Sequence, residues 1–128
     1  CTNETLIALM GAMHMSLLGP EGLHDLAVRN MAACTLGKQK LAAIDGVSLP
    51  HQSSHHFQEF VVELPGQASD CLAYLDSVGI VGGFDLARWY ANRPNWLLVS
   101  FTDQTRSNEI ELLAAHMEAW AASQGVSA

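Results

Sequence analysis

The chain has 128 residues, 49% of them hydrophobic, which is enough to bury one core and argues for a single domain over residues 1–128. Its formal net charge is -7, and six scattered Lys and Arg residues give nucleic acid or an anionic membrane little to bind, so neither is expected as a partner. The three cysteines, Cys1, Cys34 and Cys71, form no CxxC pair; an odd number without a disulfide pattern fits a reducing, cytoplasmic compartment.

The opening Cys1-Thr2-Asn3-Glu4 lacks Met and a basic segment ahead of an apolar one, so no signal peptide is read, and the chain looks cut from something larger. Residues 4–18 form a first helix with Thr2 or Asn3 as its N-cap. Leu6, Ile7, Leu9, Met10, Met13, Leu17 and Leu18 leave nearly every face apolar. Such a helix is buried on most sides, either inside this domain or against a neighbour. The apolar run 6–18 is broken by His14 and falls short of the ~20 residues needed to span a bilayer.

Gly19-Pro20-Glu21-Gly22 breaks the helix and starts another over residues 20–44, with Leu23, Ala27, Met31, Cys34, Leu41 and Ile44 at helical spacing and Gly37 loosening it. Residues 47–50 read as a short edge strand stopped by Pro50, and the polar run 51–55 as a loop. Residues 57–64 read as a strand with Phe60, Val62 and Leu64 on one face. Ala68, Cys71, Leu72, Leu75 and Val78 mark a helix, with Gly79 in the position of a left-handed cap.

The segment 79–102 reads as strand, loop, strand; Gly82 and Gly83 suggest a bend, and 96–101 a buried strand on which the rest is organised. After Thr102, Asp103-Gln104-Thr105 offers an N-cap to a helix with Ile110, Leu113, Ala114, Met117 and Trp120 inward. The order predicts an α+β fold, a two-layer sandwich of helices on a small, mostly antiparallel sheet.

Chemistry is sparse. His51, His55 and His56 could ligate zinc with Cys71 or Glu59, but the spacing is not that of a zinc finger and a solvated loop is the default, so no metal is expected. Lys38 and Lys40, the only lysines, sit beside polar Gln39, without the desolvated surroundings a Schiff-base lysine needs. Cys34 and Cys71 fall on helix core positions; Cys1 precedes a helix start, where backbone N–H groups and the dipole favour a thiolate or a phosphate. Glu59 is a possible general base on a strand face. Met10, Met13 and Met15 read as packing.

Cys1-Thr2-Asn3 running into an apolar helix that ends Ser16-Leu17-Leu18-Gly19-Pro20-Glu21-Gly22-Leu23 resembles part of glycine dehydrogenase (decarboxylating) subunit 1, a glycine cleavage system P-protein. The likeness continues in order through Phe57-Gln58-Glu59-Phe60-Val61-Val62, Gly79-Ile80-Val81-Gly82-Gly83-Phe84-Asp85-Leu86, Leu97-Leu98-Val99, Thr102 and Glu109-Ile110. Gln58, Phe84 and Ala87 stand where that family usually has Asn, Tyr and Gly.

The resemblance implies the C-terminal small domain of a fold-type I pyridoxal-phosphate enzyme, with the large cofactor domain absent. The implied reaction decarboxylates glycine and passes its aminomethyl group to the lipoyl arm of H-protein, the cofactor serving as electron sink. It implies a heterotetramer in which the Schiff-base lysine lies in a partner, subunit 2, so no catalytic residue is expected in this chain and the fragment alone is expected to be inactive. Cys1, Thr2 and Asn3 become candidates for the cofactor phosphate or a subunit contact, with Gly82, Gly83 and Asp85 second, lining the entrance or that contact. The alternative is a non-catalytic α+β binding or dimerisation module.

Overall fold

The computed structural model describes residues 4–125. Its elements are α1 (Thr5–Ala42), β1 (Glu59–Glu63), α2 (Ala68–Ser77), β2 (Phe84–Asp85), a 3-10 turn (Leu86–Arg88), β3 (Trp96–Ser100) and α3 (Ser107–Ser123). The sheet has the order β1-β3-β2 with both pairings antiparallel, and helices pack on one face of it, so the predicted two-layer α+β arrangement holds.

Gly19 interrupts α1 with φ 63° and ψ -176°. Pro20 excludes its predecessor from the right-handed helical region, and glycine is the residue that accepts the resulting backbone at little cost. The expected break is therefore present. Before it, Leu6, Ile7, Leu9, Met10, Met13, Met15 and Leu17 are each more than half exposed. The arm 5–18 thus finds no cover inside this domain. By length and composition α1 qualifies as a membrane-crossing helix, but the break leaves an arm of only roughly 20 Å at 1.5 Å per residue, against a hydrocarbon core of about 30 Å.

After the break the inward stripe is Asn30, Cys34, Gly37 and Leu41, followed by Ile44. This corrects the expected stripe, since Leu23 and Met31 are exposed. The cause lies at Gly37, which is not a loosening point: a Cβ there would overlap the ring of Phe101, so the glycine lets the helix lie directly on that ring and sets its rotation. Asn30 is the buried polar member, and it is satisfied. Its Nδ2 donates to Leu26 O at 2.8 Å, and its Oδ1 accepts from Asp103 N at 3.3 Å.

The core fills the space between sheet and helices. Phe60 and Val62 of β1 and Leu64 just after it alternate inward, as predicted, beside Leu97 and Val99 of β3 and Phe101 just after it. Ile110, Leu113, Met117 and Trp120 of α3 close it, with Cys71 and Leu75 of α2. The edge strand expected at 47–50 shrinks to one bridge, Ser48 with Glu63, whose two N–H···O bonds measure 2.9 and 2.8 Å.

Gly79 (φ 79°) ends α2 in a Schellman motif: its N–H bonds to Asp76 O at 2.9 Å and that of Ile80 to Leu75 O at 2.9 Å. The N-cap of α3 is Arg106 rather than a residue of 103–105. Arginine carries no acceptor, so only half a capping box forms, the Glu109 carboxylate accepting Arg106 N–H at 2.8 Å. Thr102 and Thr105 instead hold the preceding turn, with Thr105 Oγ1 accepting from Thr102 N at 3.1 Å.

Candidate functional site

Cys1, Thr2 and Asn3 lie outside the described residues. The described N-cap of α1 is Glu4, not the expected Thr2 or Asn3, and it makes no side-chain cap hydrogen bond; its carbonyl accepts from Ala8 N at 2.9 Å. The helix start therefore belongs to the exposed arm.

Gly82 and Gly83 are placed by packing demands. A Cβ on Gly82 would overlap Leu75 of α2, and one on Gly83 would overlap the backbone carbonyl of Leu98 in β3. Gly83 also has φ 143°, a conformation side-chain-bearing residues rarely take. Two constraints thus bring this segment between α2 and β3. As a result β2 is only two residues long, pairing Phe84 with Leu98 and Asp85 with Leu97.

Beside the shortened strand lies an open cleft of about 430 Å³. Gly82 and Gly83 line it with Ile80 and Phe101, and the carboxylate-bearing Glu59 and Glu109 stand on its wall. The structure thus brings together Gly82, Gly83 and Glu59. Asp85 is not part of the lining; its Oδ1 accepts from Ala87 N at 2.8 Å and caps the 3-10 turn.

The histidines of the 51–56 loop diverge. His51 meets Trp96 edge-on with ring centroids 5.7 Å apart, whereas His56 Nδ1 lies 3.0 Å from Lys38 Nζ. As an acceptor from that ammonium, Nδ1 is unprotonated. Desolvation, followed by the Lys38 charge, holds the imidazole below its ordinary pKa. Among the described residues no group of three His, Cys, Asp or Glu could hold a metal ion.

Neither lysine is placed for a Schiff base. Lys38 Nζ also reaches Gln52 O at 3.4 Å, and Lys40 pairs with Glu111 at 3.3 Å in an exposed contact. Burial raises both described thiols, Cys34 above the ordinary range and Cys71 up to about 12, so both are protonated and inert at neutral pH.

Residues passed over in the sequence form the most conspicuous surface. The 3-10 turn and the loop after it carry Arg88, Trp89, Tyr90 and Arg93 to the outer side of the sheet. Trp89 packs on Phe84 with centroids 4.9 Å apart, and the guanidinium of Arg88 lies 5.5 Å from the Trp89 ring centre. Arg93 lies 4.8 Å over the ring of Trp96, which Tyr90 also meets at 6.1 Å. The signal available beforehand was the alternation of arginine with aromatic residues over 84–96, inside a stretch read only for its glycines and its strand.

A likeness to known proteins runs along most of the chain. The profile of the glycine cleavage system P-protein family matches residues 1–117. Probable glycine dehydrogenase (decarboxylating) subunit 1 of Geotalea daltonii is 35% identical over 119 residues, covering 93% of this chain and 27% of that protein. The protein of the same description from Rhizorhabdus wittichii is 36% identical over 122 residues, covering 93% of this chain and 26% of its own length. A crystal structure of glycine decarboxylase (P-protein) of the glycine cleavage system, in inhibitor-bound form, superposes with a TM-score of 0.82 at 28% identity, covering 93% of this chain and 26% of that one. The chain thus spans about a quarter of the length of the relatives it matches. It belongs to the glycine cleavage system P-protein family.

Proposed function

We propose that this chain is the C-terminal small domain of a glycine decarboxylase subunit of the subunit 1 type. The reaction converts glycine and lipoyl H-protein to aminomethyl-dihydrolipoyl H-protein and CO2. The observation that carries the reading is the near-complete superposition, with a TM-score of 0.82, on a glycine decarboxylase P-protein at 28% identity. The exposed apolar arm supports it too: a surface of that kind needs cover, and most of the length of the relatives lies outside this chain.

The described residues do not by themselves form a pyridoxal phosphate site. Lys38 Nζ is engaged by His56 Nδ1 at 3.0 Å and Lys40 Nζ by Glu111 at 3.3 Å. We therefore assign the cofactor to parts of the enzyme outside this chain, with the Schiff-base lysine in a partner, glycine dehydrogenase subunit 2, and the fragment alone inactive. Cys1, Thr2 and Asn3 are the proposed contacts to the cofactor phosphate or to the partner, with Gly82 and Gly83 lining an entrance and Asp85 holding the turn beside it or a subunit contact. A cytoplasmic heterotetramer belongs to the same proposal.

Beyond those contacts, the exposed apolar arm fixes the domain to the rest of the enzyme. Glycine-dependent exchange of labelled bicarbonate tests the reading, using the full parent subunit, the lysine-bearing partner, pyridoxal phosphate and H-protein. Exchange only with both subunits is the expected result; no exchange from folded, assembled subunits would overturn it.

A further inference from the structure

Pro20 is sufficient to break α1, but it does not choose the direction of the break. Its ring keeps the preceding residue out of the right-handed helical region, and a residue with a side chain then turns extended at negative φ. Residue 19 has the opposite hand. Gly19 stands at φ 63° and ψ -176°, a region that in practice only glycine occupies. A Cβ built there would meet nothing within 4 Å, so crowding does not call for the glycine; the hand of the backbone does. Pro20 thus dictates that α1 breaks, and Gly19 dictates which way the arm 5–18 then runs.

A second glycine fits the same bend. A Cβ on Gly22 would come within 3.1 Å of Leu18 Cβ and 3.4 Å of its Cδ2. Leu18, half-buried where Leu17 is 85% exposed, therefore lies across the break against the first turn after it. The bend has a contact that fixes it as well as a backbone that permits it. Beyond the bend, close contacts run on to the entrance segment: Gly37 lies on the Phe101 ring, just after β3, and Gly83 lies against the Leu98 carbonyl in β3. The superposition on glycine decarboxylase covers 93% of this chain, more than residues 20–128 could supply, so it extends across the break into the arm.

Resting on the reading that the arm fixes this domain to the rest of the enzyme, we propose that Gly19 and Gly22 form a rigid elbow. It sets the angle at which the core, and with it Gly82 and Gly83, is presented to the rest of the enzyme. From Gly19 to Gly37 is roughly 27 Å of helix at 1.5 Å per residue, so a turn of about 10° at the elbow moves the core there by about 5 Å. A misplacement of about 1 Å at a reacting centre can cost about a hundredfold in rate, which is why the joint is stiff and Gly19 is a positioning residue.

The test uses the assembled two-subunit enzyme. Nitroxides on His14→Cys and Gln39→Cys, one on each side of the break, report its angle as a distance by double electron–electron resonance. Bicarbonate exchange gives kcat and the KM for glycine. The wild type should give one narrow distance. Gly19→Ala keeps Pro20 but must turn to negative φ; it should displace or broaden that distance and lower kcat by about tenfold or more, with the KM for glycine within about twofold. Gly19→Asn should do the same, because asparagine tolerates a left-handed helical position but not this one. Gly46→Ala controls for strain alone: Gly46 has φ 79°, and its variant should lower the unfolding midpoint with distance and kcat unchanged.

A broad distance in the wild type would overturn the inference, since the joint would then be loose. A Gly19→Ala or Gly19→Asn enzyme that keeps either the distance or the kcat of the wild type would overturn it too. If neither variant folds, Gly22→Ala decides: its methyl must displace Leu18 and open the bend, so distance and kcat should shift together, and no shift sinks the elbow. If the wild type gives the narrow distance without exchange, the decarboxylase reading fails and the distances alone judge the elbow.

Discussion

Gly37→Ala is the sharpest probe of how this fold is held together. In an exposed helix interior the change would stabilise by about 1 kcal/mol, because alanine gives up less backbone freedom on folding. Here the added methyl would fall on the ring of Phe101, which is only 3% exposed and packs on Phe60 with centroids 5.9 Å apart. The ring cannot swing into solvent, so α1 must lift or the core must repack, at about 1–3 kcal/mol. The net expectation is a destabilisation of about 1 kcal/mol, seen as an unchanged m-value and a lower midpoint in urea unfolding followed by tryptophan fluorescence.

The sign should reverse in a Phe101→Leu background, whose side chain has no ring edge and can change rotamer. There Gly37→Ala should be neutral or stabilise by up to about 1 kcal/mol, a coupling of about 1–3 kcal/mol between residues in contact. If Gly37→Ala stabilises the wild type, or acts equally in both backgrounds, the contact between helix and ring is not what sets the rotation of α1.

Gly83→Ala should destabilise by about 1–3 kcal/mol in the same assay, since alanine is strained at φ 143° and its methyl meets the Leu98 carbonyl. Cys71, with its pKa raised from 9.0 to about 12, keeps its proton longer folded than unfolded; its contribution to stability is complete below about pH 9 and is lost as pH rises towards 12. Its thiol should resist alkylation at pH 8 until the chain unfolds. His56 should titrate below 6.5 by NMR, and Lys38→Met should move it upward, because desolvation then acts without the neighbouring ammonium. With its folded pKa depressed, His56 contributes stability above 6.5 that is lost as pH falls through its unfolded value and on towards its folded one. Deleting the arm 5–18 should leave unfolding of the remaining domain nearly unchanged, since none of its side chains enters the core, while abolishing pull-down of the lysine-bearing partner.

Local signals in the sequence were readable where one physical rule acted alone. The alternation of Phe60, Val62 and Leu64, the stripe from Ile110 to Trp120, the cap at Gly79 and the break at Gly19-Pro20 each follow from a period or from a backbone restriction. The inward face of α1 was not readable, because its apolar residues are spread around the helix and the phase is set by a distant ring, Phe101. The N-cap of α3 was placed one to three residues early, since three side chains of 102–105 can cap and the turn they make uses them up.

Site information divides the same way. Gly82 and Gly83 were marked as unusual, but which atoms forced them, Leu75 and the Leu98 carbonyl, is tertiary information. The aromatic and arginine surface over 84–96 went unread because Phe84 and Trp89 become neighbours only once the 3-10 turn folds the chain back. Family membership came instead from the collinear order of short motifs, which no single element carries.

The most direct test of the account is a titration of the full parent subunit into a fixed amount of the lysine-bearing partner, with pyridoxal phosphate, glycine and lipoyl H-protein present, reading labelled bicarbonate incorporated into glycine. The account predicts no exchange by either subunit alone and a rate that rises and saturates at one-to-one stoichiometry. Full exchange by the partner alone, unaffected by added parent subunit, would contradict it.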